Sequence, residues 1–392
     1  MGSLEDLRER NRLRIVDALR RHGPATRADL ASLTGLSRTT VGSLVDALQG
    51  NGLVVESSAE AAGPGRPAGL LRLDAAAGLA LGVDFGHRHL RVAVADLSAT
   101  VLAERSRELD VDAAASTALD AATELCEEVL AAAGAERSRV IAAGMGLPGP
   151  IDRRTGTVGS SVILSDWAGL QPAQELSRRL GVAVEVDNDA NLGALAELLF
   201  GAGQGLRHLV YVKVSSGIGA GLIIDGRLHR GATGIAGELG HVQVRDDGAV
   251  CRCGSRGCLE TIAGAGALLA LMRPAHGERL RTRDMLDLVA AGDPGAARVF
   301  DDAGRAIGRA LGDLCNCLNP AAVIVGGDLG AAGPLLDGVR AAVDRFAQPR
   351  AARAVAVLPA RLGERAELLG ALALVIGDTE RLRSAGLVAL NA

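Results

Sequence analysis

The apolar pattern changes period near Leu79, and that change limits the possible folds more than any other feature of the chain. Residues 1–50 carry apolar side chains at helical spacing, and 53–73 read as two short strands around a Gly/Pro-rich tip. Beyond that point, strand-like runs at 79–84, 90–96, 140–144, 209–214 and 322–325 alternate with Ala/Leu-rich stretches at 113–133, 192–199 and 298–318. Regular Leu and Val spacing makes those stretches helices and not low-complexity tracts. The alternation predicts an α/β domain behind a small helical head. A chain of 392 residues exceeds one ordinary core, so the expected division is a head over 1–75 and a second domain over 78–392.

Composition narrows the function classes. Hydrophobic residues make up 48% and charged residues 22%, a balance typical of packed globular domains. No apolar run reaches the roughly 18–20 residues that cross a bilayer, and the opening MGSLEDLRERNRLRIV lacks the apolar block of a secretion signal. A cytoplasmic protein without a membrane partner is expected. The net charge of −4 means that any nucleic-acid binding needs a local basic surface. An aromatic content of 2% argues against recognition of single strands by base stacking.

In the head, Leu13, Val16 and Leu19 mark a first helix, and Thr26 with Asp29 resembles the capping box of a second. Gly35 supplies a turn and Ser37 caps a third helix, in which Val41, Leu44, Val45 and Leu48 form one apolar stripe. Arg38, Thr39, Thr40 and Ser43 therefore face elsewhere. Ala31, Gly35 and Val41 have the small, glycine and β-branched placement of a helix-turn-helix. The strands at 53–56 and 70–73 bracket GPGRPAG as a wing would, with Arg66 at its tip placed for a minor groove or a phosphate. A winged helix-turn-helix on double-stranded DNA is expected, with Arg38 and Thr39 opening the recognition helix. The competing reading is a packing or dimerisation module whose polar face is simply solvated.

Cys251, Cys253 and Cys258 fall within eight residues, and His241 lies ten residues before the first of them. Three thiolates and one imidazole suit a closed tetrahedral zinc site that plays a structural part. Gly254 and Gly257 allow the chain to curl around one ion. Cys126, Cys315 and Cys317 read as small core residues.

The stretch GELGHVQVRDDGAVCRCGSRGCLE, residues 237–260, resembles the signature of the ROK family of repressors, open reading frames and kinases. GRP at 65–67, GLPGPID at 146–152, VDNDAN at 186–191 and SSGIGAGL at 215–222 extend the resemblance over essentially the whole chain. The resemblance implies a two-lobed, actin/hexokinase-like architecture of ribonuclease H type. Lobe one would cover about 78–189 and lobe two about 190–392, with a ligand cleft between them. Asn188, Asp189, Glu238, His241 and Glu260 match sugar-contacting positions, although acidic residues in Gly-rich loops also serve as plain caps. Zinc on one ring nitrogen of His241 would aim the other at a sugar hydroxyl. Trp167 could line the cleft or belong to the core.

In kinases that this family contains, the aspartate matching Asp189 is the general base toward the sugar hydroxyl. Their phosphate loop reads like D-x-G-G-T-K, whereas here it runs Asp84-Phe85-Gly86-His87-Arg88-His89. His87 is expected to crowd the turn, and Arg88 brings no hydroxyl, although it could bind an anion instead. The glycines at 215–221 and 325–327 are better kept, but tight strand-to-helix turns need them in any case. A kinase-derived sugar sensor that does without ATP and Mg²⁺ is therefore expected, a repressor of carbohydrate-metabolism genes. It would hold a palindromic operator as a homodimer or homotetramer and respond to a sugar or sugar phosphate. The alternatives are an ATP-dependent hexose kinase of glucokinase type carrying a DNA-binding head, and a regulator that answers to a protein partner.

Overall fold

The computed structural model describes residues 4–58, 69–159 and 164–377. The head consists of α1 (Leu4–His22), α2 (Arg27–Thr34), α3 (Arg38–Gly50), β1 (Val54–Ser58) and β2 (Gly69–Leu73). The capping box forms: Thr26 Oγ1 accepts from the Asp29 amide at 3.2 Å, and the Thr26 amide donates to Asp29 Oδ2 at 3.0 Å. Helix α2 stops at Gly35, whose φ of 65° suits glycine. Ser37 Oγ then accepts the Thr40 amide at 3.1 Å to open α3. Val16, Leu30, Val41, Val45 and Leu48 close a small core. Strands β1 and β2 pair antiparallel, and Ala25 bridges to Leu71 beside them. Arg66 and most of the wing tip lie outside the described residues.

The second domain begins with β3 (Leu79–Phe85), β4 (His89–Asp96), β5 (Val101–Glu108), α4 (Ala115–Ala132) and β6 (Val140–Leu147). A small hairpin, β7 (Ile151–Asp152) and β8 (Thr157–Val158), leads to α5 (Pro172–Leu180), β9 (Val184–Asn188) and α6 (Asp189–Phe200). Then come β10 (Leu209–Val214), β11 (Ile218–Ile224), β12 (Arg227–His229), α7 (Glu260–Ala263), α8 (Ala265–His276), α9 (Thr282–Ala290) and α10 (Pro294–Leu318). The last elements among the described residues are β13 (Ala322–Gly326), α11 (Gly333–Phe346), α12 (Pro349–Ala354), β14 (Ala356–Pro359) and α13 (Ala366–Ile376).

The two five-stranded sheets share one topology. The first is ordered β5-β4-β3-β6-β9 and the second β12-β11-β10-β13-β14. In each, three consecutive antiparallel strands are followed by two parallel ones on the other side of the first strand. This is the two-lobed, actin/hexokinase-like architecture that the resemblance implied. The shared element is a strand order and not a sequence period, so no short repeat is visible in the chain.

Two helices cross between the lobes. Helix α6 leaves β9 of the first sheet directly but packs against β10 and β11 of the second. Helix α13, the last helix among the described residues, makes the second crossing: Leu368, Leu372, Val375 and Ile376 pack with Ala80, Ala93 and Ala142 of the first sheet. Helix α13, although it lies beyond residue 190, therefore packs on the first sheet. The apolar face of α13 has its partner surface on the first sheet, and the chain returns there.

Glycines permit the crossing. A Cβ at Gly370 would stand 2.0 Å from the carbonyl oxygen of Leu192 on α6, and one at Gly144 would stand 1.9 Å from that of Ala371 on α13. In β11, a Cβ at Gly221 would meet Ala194 Cβ at 2.4 Å. Gly219 and Gly221 thus serve close strand–helix packing, and the expected strand-to-helix turn is absent because residues 215–221 join an antiparallel pair.

The head shares its core with the first lobe. Leu97, from the turn between β4 and β5, is buried among head residues, with Ile141 and Ala77 packed against the same cluster. Among the other residues singled out in sequence, Cys126 and Cys315 are buried as expected, but Cys317 is exposed on α10. Trp167 belongs to the core, fully buried with its ring centroid 5.3 Å from that of Phe85 and its indole N–H donating to the Val111 carbonyl.

Gly370→Ala sets two effects in opposition. Helix propensity favours alanine by about 1 kcal/mol, but the new methyl meets a backbone carbonyl that cannot rotate away. Overpacking of this kind costs about 1–3 kcal/mol and should win. Urea denaturation of the full chain should give a lower midpoint for the variant.

Candidate functional site

A cleft of about 490 Å³ opens between the two sheets, and all five expected ligand residues, Asn188, Asp189, Glu238, His241 and Glu260, line it. Each is fixed differently. Asn188 caps α6: its Oδ1 accepts from the Ala190 amide at 2.9 Å and the Asn191 amide at 3.3 Å, while Nδ2 donates to the Gly149 carbonyl at 3.2 Å. The capping role reserved for such loop residues is thus real here, and it still leaves the second amide hydrogen free to face the cleft. Asp189 begins α6 and is buried, with Oδ1 on the Ala190 amide at 2.8 Å and Oδ2 2.9 Å from Lys213 Nζ.

Glu260 starts α7 and accepts from the Ile218 amide at 3.2 Å and from Arg252 Nε at 2.9 Å. Glu238 has Oε2 3.6 Å from His241 Nε2. Burial pushes its carboxyl above the ordinary range, opposed by His241 and reinforced by Asp189 and Glu260. These fixed acceptors and donors suit vicinal hydroxyls.

The other side of His241 faces sulfur. Its Nδ1 lies 3.6 Å from Cys251 Sγ, and Cys253 Sγ lies 3.7 Å from Cys258 Sγ. All four ligand atoms lie within 4.8 Å of one another. Thiolates about 2.3 Å from a tetrahedral ion stand about 3.8 Å apart, so the donor set and its spacing fit zinc. Gly257 serves the curl: its φ is 68°, and a Cβ there would meet the Arg245 carbonyl at 1.6 Å.

The end of the cleft near the first strand is lined by Gly86, His87, Arg88 and His89. His89 Nε2 lies 3.1 Å from Asp84 Oδ2, and its ring rests on Gly86, where a Cβ would meet it at 2.2 Å. His87, expected to crowd this turn, lines the cleft with its largely buried ring held by Asp112, Nδ1 lying 2.9 Å from Oδ1. The crowding comes from His89, two residues later. Arg88 is 84% exposed and 3.6 Å from Asp110. Ser215 donates to Asp328, which places a second carboxylate beside Gly327.

Sequence reasoning missed several residues here. Lys213 on β10 is 2.9 Å from Asp189 and 3.2 Å from Glu367 on α13. Arg230 Nε is 2.6 Å from Asp187 Oδ2, and the Arg153 amide donates to the Thr233 carbonyl at 3.0 Å, so both lobes touch across the cleft mouth. A lone cation in the apolar run LVYVKV was the available signal for Lys213. Arg252 was hidden among the cysteines. In the head, Arg38, Thr39 and Ser43 are exposed and Thr40 is half-buried, its Oγ1 2.8 Å from Ser37 Oγ.

The ROK family pattern matches residues 80–378, and that of the MarR family matches 9–63. The xylose repressor of Bacillus spizizenii is 29% identical over 367 residues, covering 93% of this chain and 94% of that protein. The glucokinase of Thermotoga maritima is 32% identical over 310 residues, covering 75% of this chain and 96% of its own. The crystal structure of a ROK family transcriptional regulator, a homolog of the E. coli MLC protein, superposes with a TM-score of 0.80 at 27% identity, covering 97% of this chain and 98% of that one.

Burial pushes the Glu367 carboxyl from its ordinary 4.5 up to about 7, Lys213 opposing the rise and Asp84 and Asp189 adding to it. A carboxyl whose pKa is raised on folding contributes stability below its unfolded pKa and loses it as pH rises through the folded value. Glu367→Gln removes that loss. Between pH 5 and pH 8 the stability difference should move toward the variant by about 2 kcal/mol. Denaturation at both pH values measures it, and a constant difference contradicts the assignment.

Proposed function

The chain belongs to the ROK family, and we propose that it works as that family's repressors do, as a sugar-responsive transcriptional repressor with an operator-binding head and a sugar cleft. One observation carries this reading. The likeness to a xylose repressor and to a ROK transcriptional regulator runs from the winged head through both lobes, whereas the likeness to a glucokinase covers only 75% of the chain.

On the DNA side, α3 offers Arg38, Thr39 and Ser43 to a major groove, and Thr40 is committed to the cap with Ser37. Arg66 is placed by sequence alone. Two such heads on a palindrome require at least a dimer, and a homodimer or homotetramer is the proposed assembly. No helix among the described residues is long and apolar enough to cross a membrane.

On the ligand side, Asn188, Asp189, Glu238, His241 and Glu260 are the proposed sugar contacts. Zinc on His241 and Cys251, Cys253 and Cys258 would supply structural order and no reaction step. His241 donates or accepts toward the cleft through Nε2 while Nδ1 is held by the cysteine loop. Xylose is the first sugar to test, because a close relative carries that name.

Phosphoryl transfer is disfavoured by the occupied loop: His89 covers Gly86 and Asp328 presents a negative charge where phosphates would approach. The glucokinase likeness and the presence of Asp189 favour the second reading, an active hexose kinase. Purified protein with ATP, magnesium and a panel of hexoses separates the two, since turnover abolished by Asp189→Ala would establish a kinase.

Sugar can alter operator binding only if it binds the two lobe arrangements unequally, and the effect must then be reciprocal. Calorimetric titration with D-xylose, with and without operator DNA, should give dissociation constants differing about 5- to 150-fold; equal constants refute the coupling. Metal analysis should find about one zinc per chain. Cys253→Ser should lower both metal content and the sugar response, and full metal retention in that variant would remove Cys253 from the ligand set.

A further inference from the structure

Of the 42 basic residues in the chain, Lys213 is the only lysine. Every other cation is arginine, including those on the surface and in the head. This single ammonium sits in the middle of the second domain, on the central strand β10, in the apolar run LVYVKV. Its side chain is 15% exposed, and its neighbours come from three other elements. Asp189 lies at 2.9 Å from the start of α6, and Glu367 at 3.2 Å from α13. Asp84 at the end of β3 adds its charge.

The other polar groups around this cluster are already committed or carry no cation. His89 pairs with Asp84, Ser215 with Asp328, and the buried Tyr211 hydroxyl beside Lys213 has no hydrogen-bond partner. Glu197, deeper in α6, accepts the Ala202, Arg361 and Leu362 amides. Burial alone would drive the ammonium toward its neutral form. The carboxylates more than offset that and hold it well above the ordinary lysine range. A compact ammonium with three divergent donors can face carboxylates on separate elements, whereas a planar guanidinium presents its donors in one fork.

We propose that Lys213 is the positioning residue that joins the sugar wall to the interlobe pivot. By holding Asp189 Oδ2, it fixes the direction in which that carboxylate faces the cleft. Through its ion pair with Glu367, whose buried Oε1 lies 3.2 Å away and takes no hydrogen bond, the same ammonium passes a change at Asp189 to α13, which rests on the first lobe. The proposal deepens the sugar-sensor reading and rests on it for the identity of the ligand, but the charge cluster exists without any ligand.

A sole lysine makes the test selective. In the full chain grown with ¹⁵N-lysine, one side-chain resonance reports Lys213 alone. At pH 7.5 it should appear at the ammonium shift and be protected from exchange, and Asp189→Asn and Glu367→Gln should each move it. An unprotected signal, or one insensitive to both variants, overturns the cluster whether or not a sugar is known.

The second arm uses D-xylose and D-glucose, with calorimetry to establish which one binds. The bound sugar should shift the lysine resonance and change amide exchange over residues 366–376. Lys213→Met should weaken binding at least tenfold and abolish the exchange change. Full sugar binding with unaltered exchange at α13 in the wild type overturns the coupling. Should neither sugar bind the wild type, the choice of ligand class fails, while the first arm still decides the place of Lys213. If Lys213→Met does not fold, the wild-type resonance and its response to sugar carry the decision.

Discussion

The architecture depends on a close crossing of two helices whose backbones touch. Helix α6 grows out of the first sheet and rests on the second, while α13 follows the second sheet and rests on the first. They approach at Gly370 and Leu192 with no room for a single methyl group. Packed interiors resist small changes in separation, because lost contacts and overlap both cost energy. A pivot of this kind allows rotation about the crossing and resists its opening. The lobes are thus joined along one line of close backbone contact, and that line forms the floor of the cleft.

Charge is concentrated along that same line. Asp84, Asp189 and Glu367 converge there, and a single ammonium stands among them. Breaking a buried pair by removing one member is far more costly than the net worth of the pair, so the members of such a set are interdependent. The cleft wall shows a similar economy of parts. His241 faces sulfur with one nitrogen and Glu238 with the other, and Arg252, lying between two cysteines, holds Glu260. Order in the cysteine loop and order in the cleft wall are therefore one property.

Much of this was legible in the chain because the informative residues act locally. Thr26, Asp29 and Ser37 cap helices through bonds that span three residues, and the cysteine cluster declares itself by spacing. Asn188 and Asp189 stood out through their motif, and the structure adds that one caps α6 while the other starts it. What escaped reading was long-range. The return of α13 to the first sheet depends on a partner surface more than two hundred residues away. The sequence points to His87 as the residue that crowds the loop after β3, but β4 also turns the ring of His89 back over Gly86, while His87 is tied to Asp112. Gly219 and Gly221 looked like turn residues because their sequence does not announce the helix that presses on β11.

The seat of Leu97 in the core of the head has a mechanical consequence. A domain tied on by a linker would tumble independently and report nothing of events elsewhere in the chain. With Leu97 of the β4–β5 turn sunk into its interior and Ile141 and Ala77 packed on the same cluster, the head shares a core with the nearer lobe, so a displacement of that lobe meets the head through packed side chains and not through a linker. Loosening that seat would leave both binding surfaces intact and able to hold their ligands, yet each would then act in ignorance of the other.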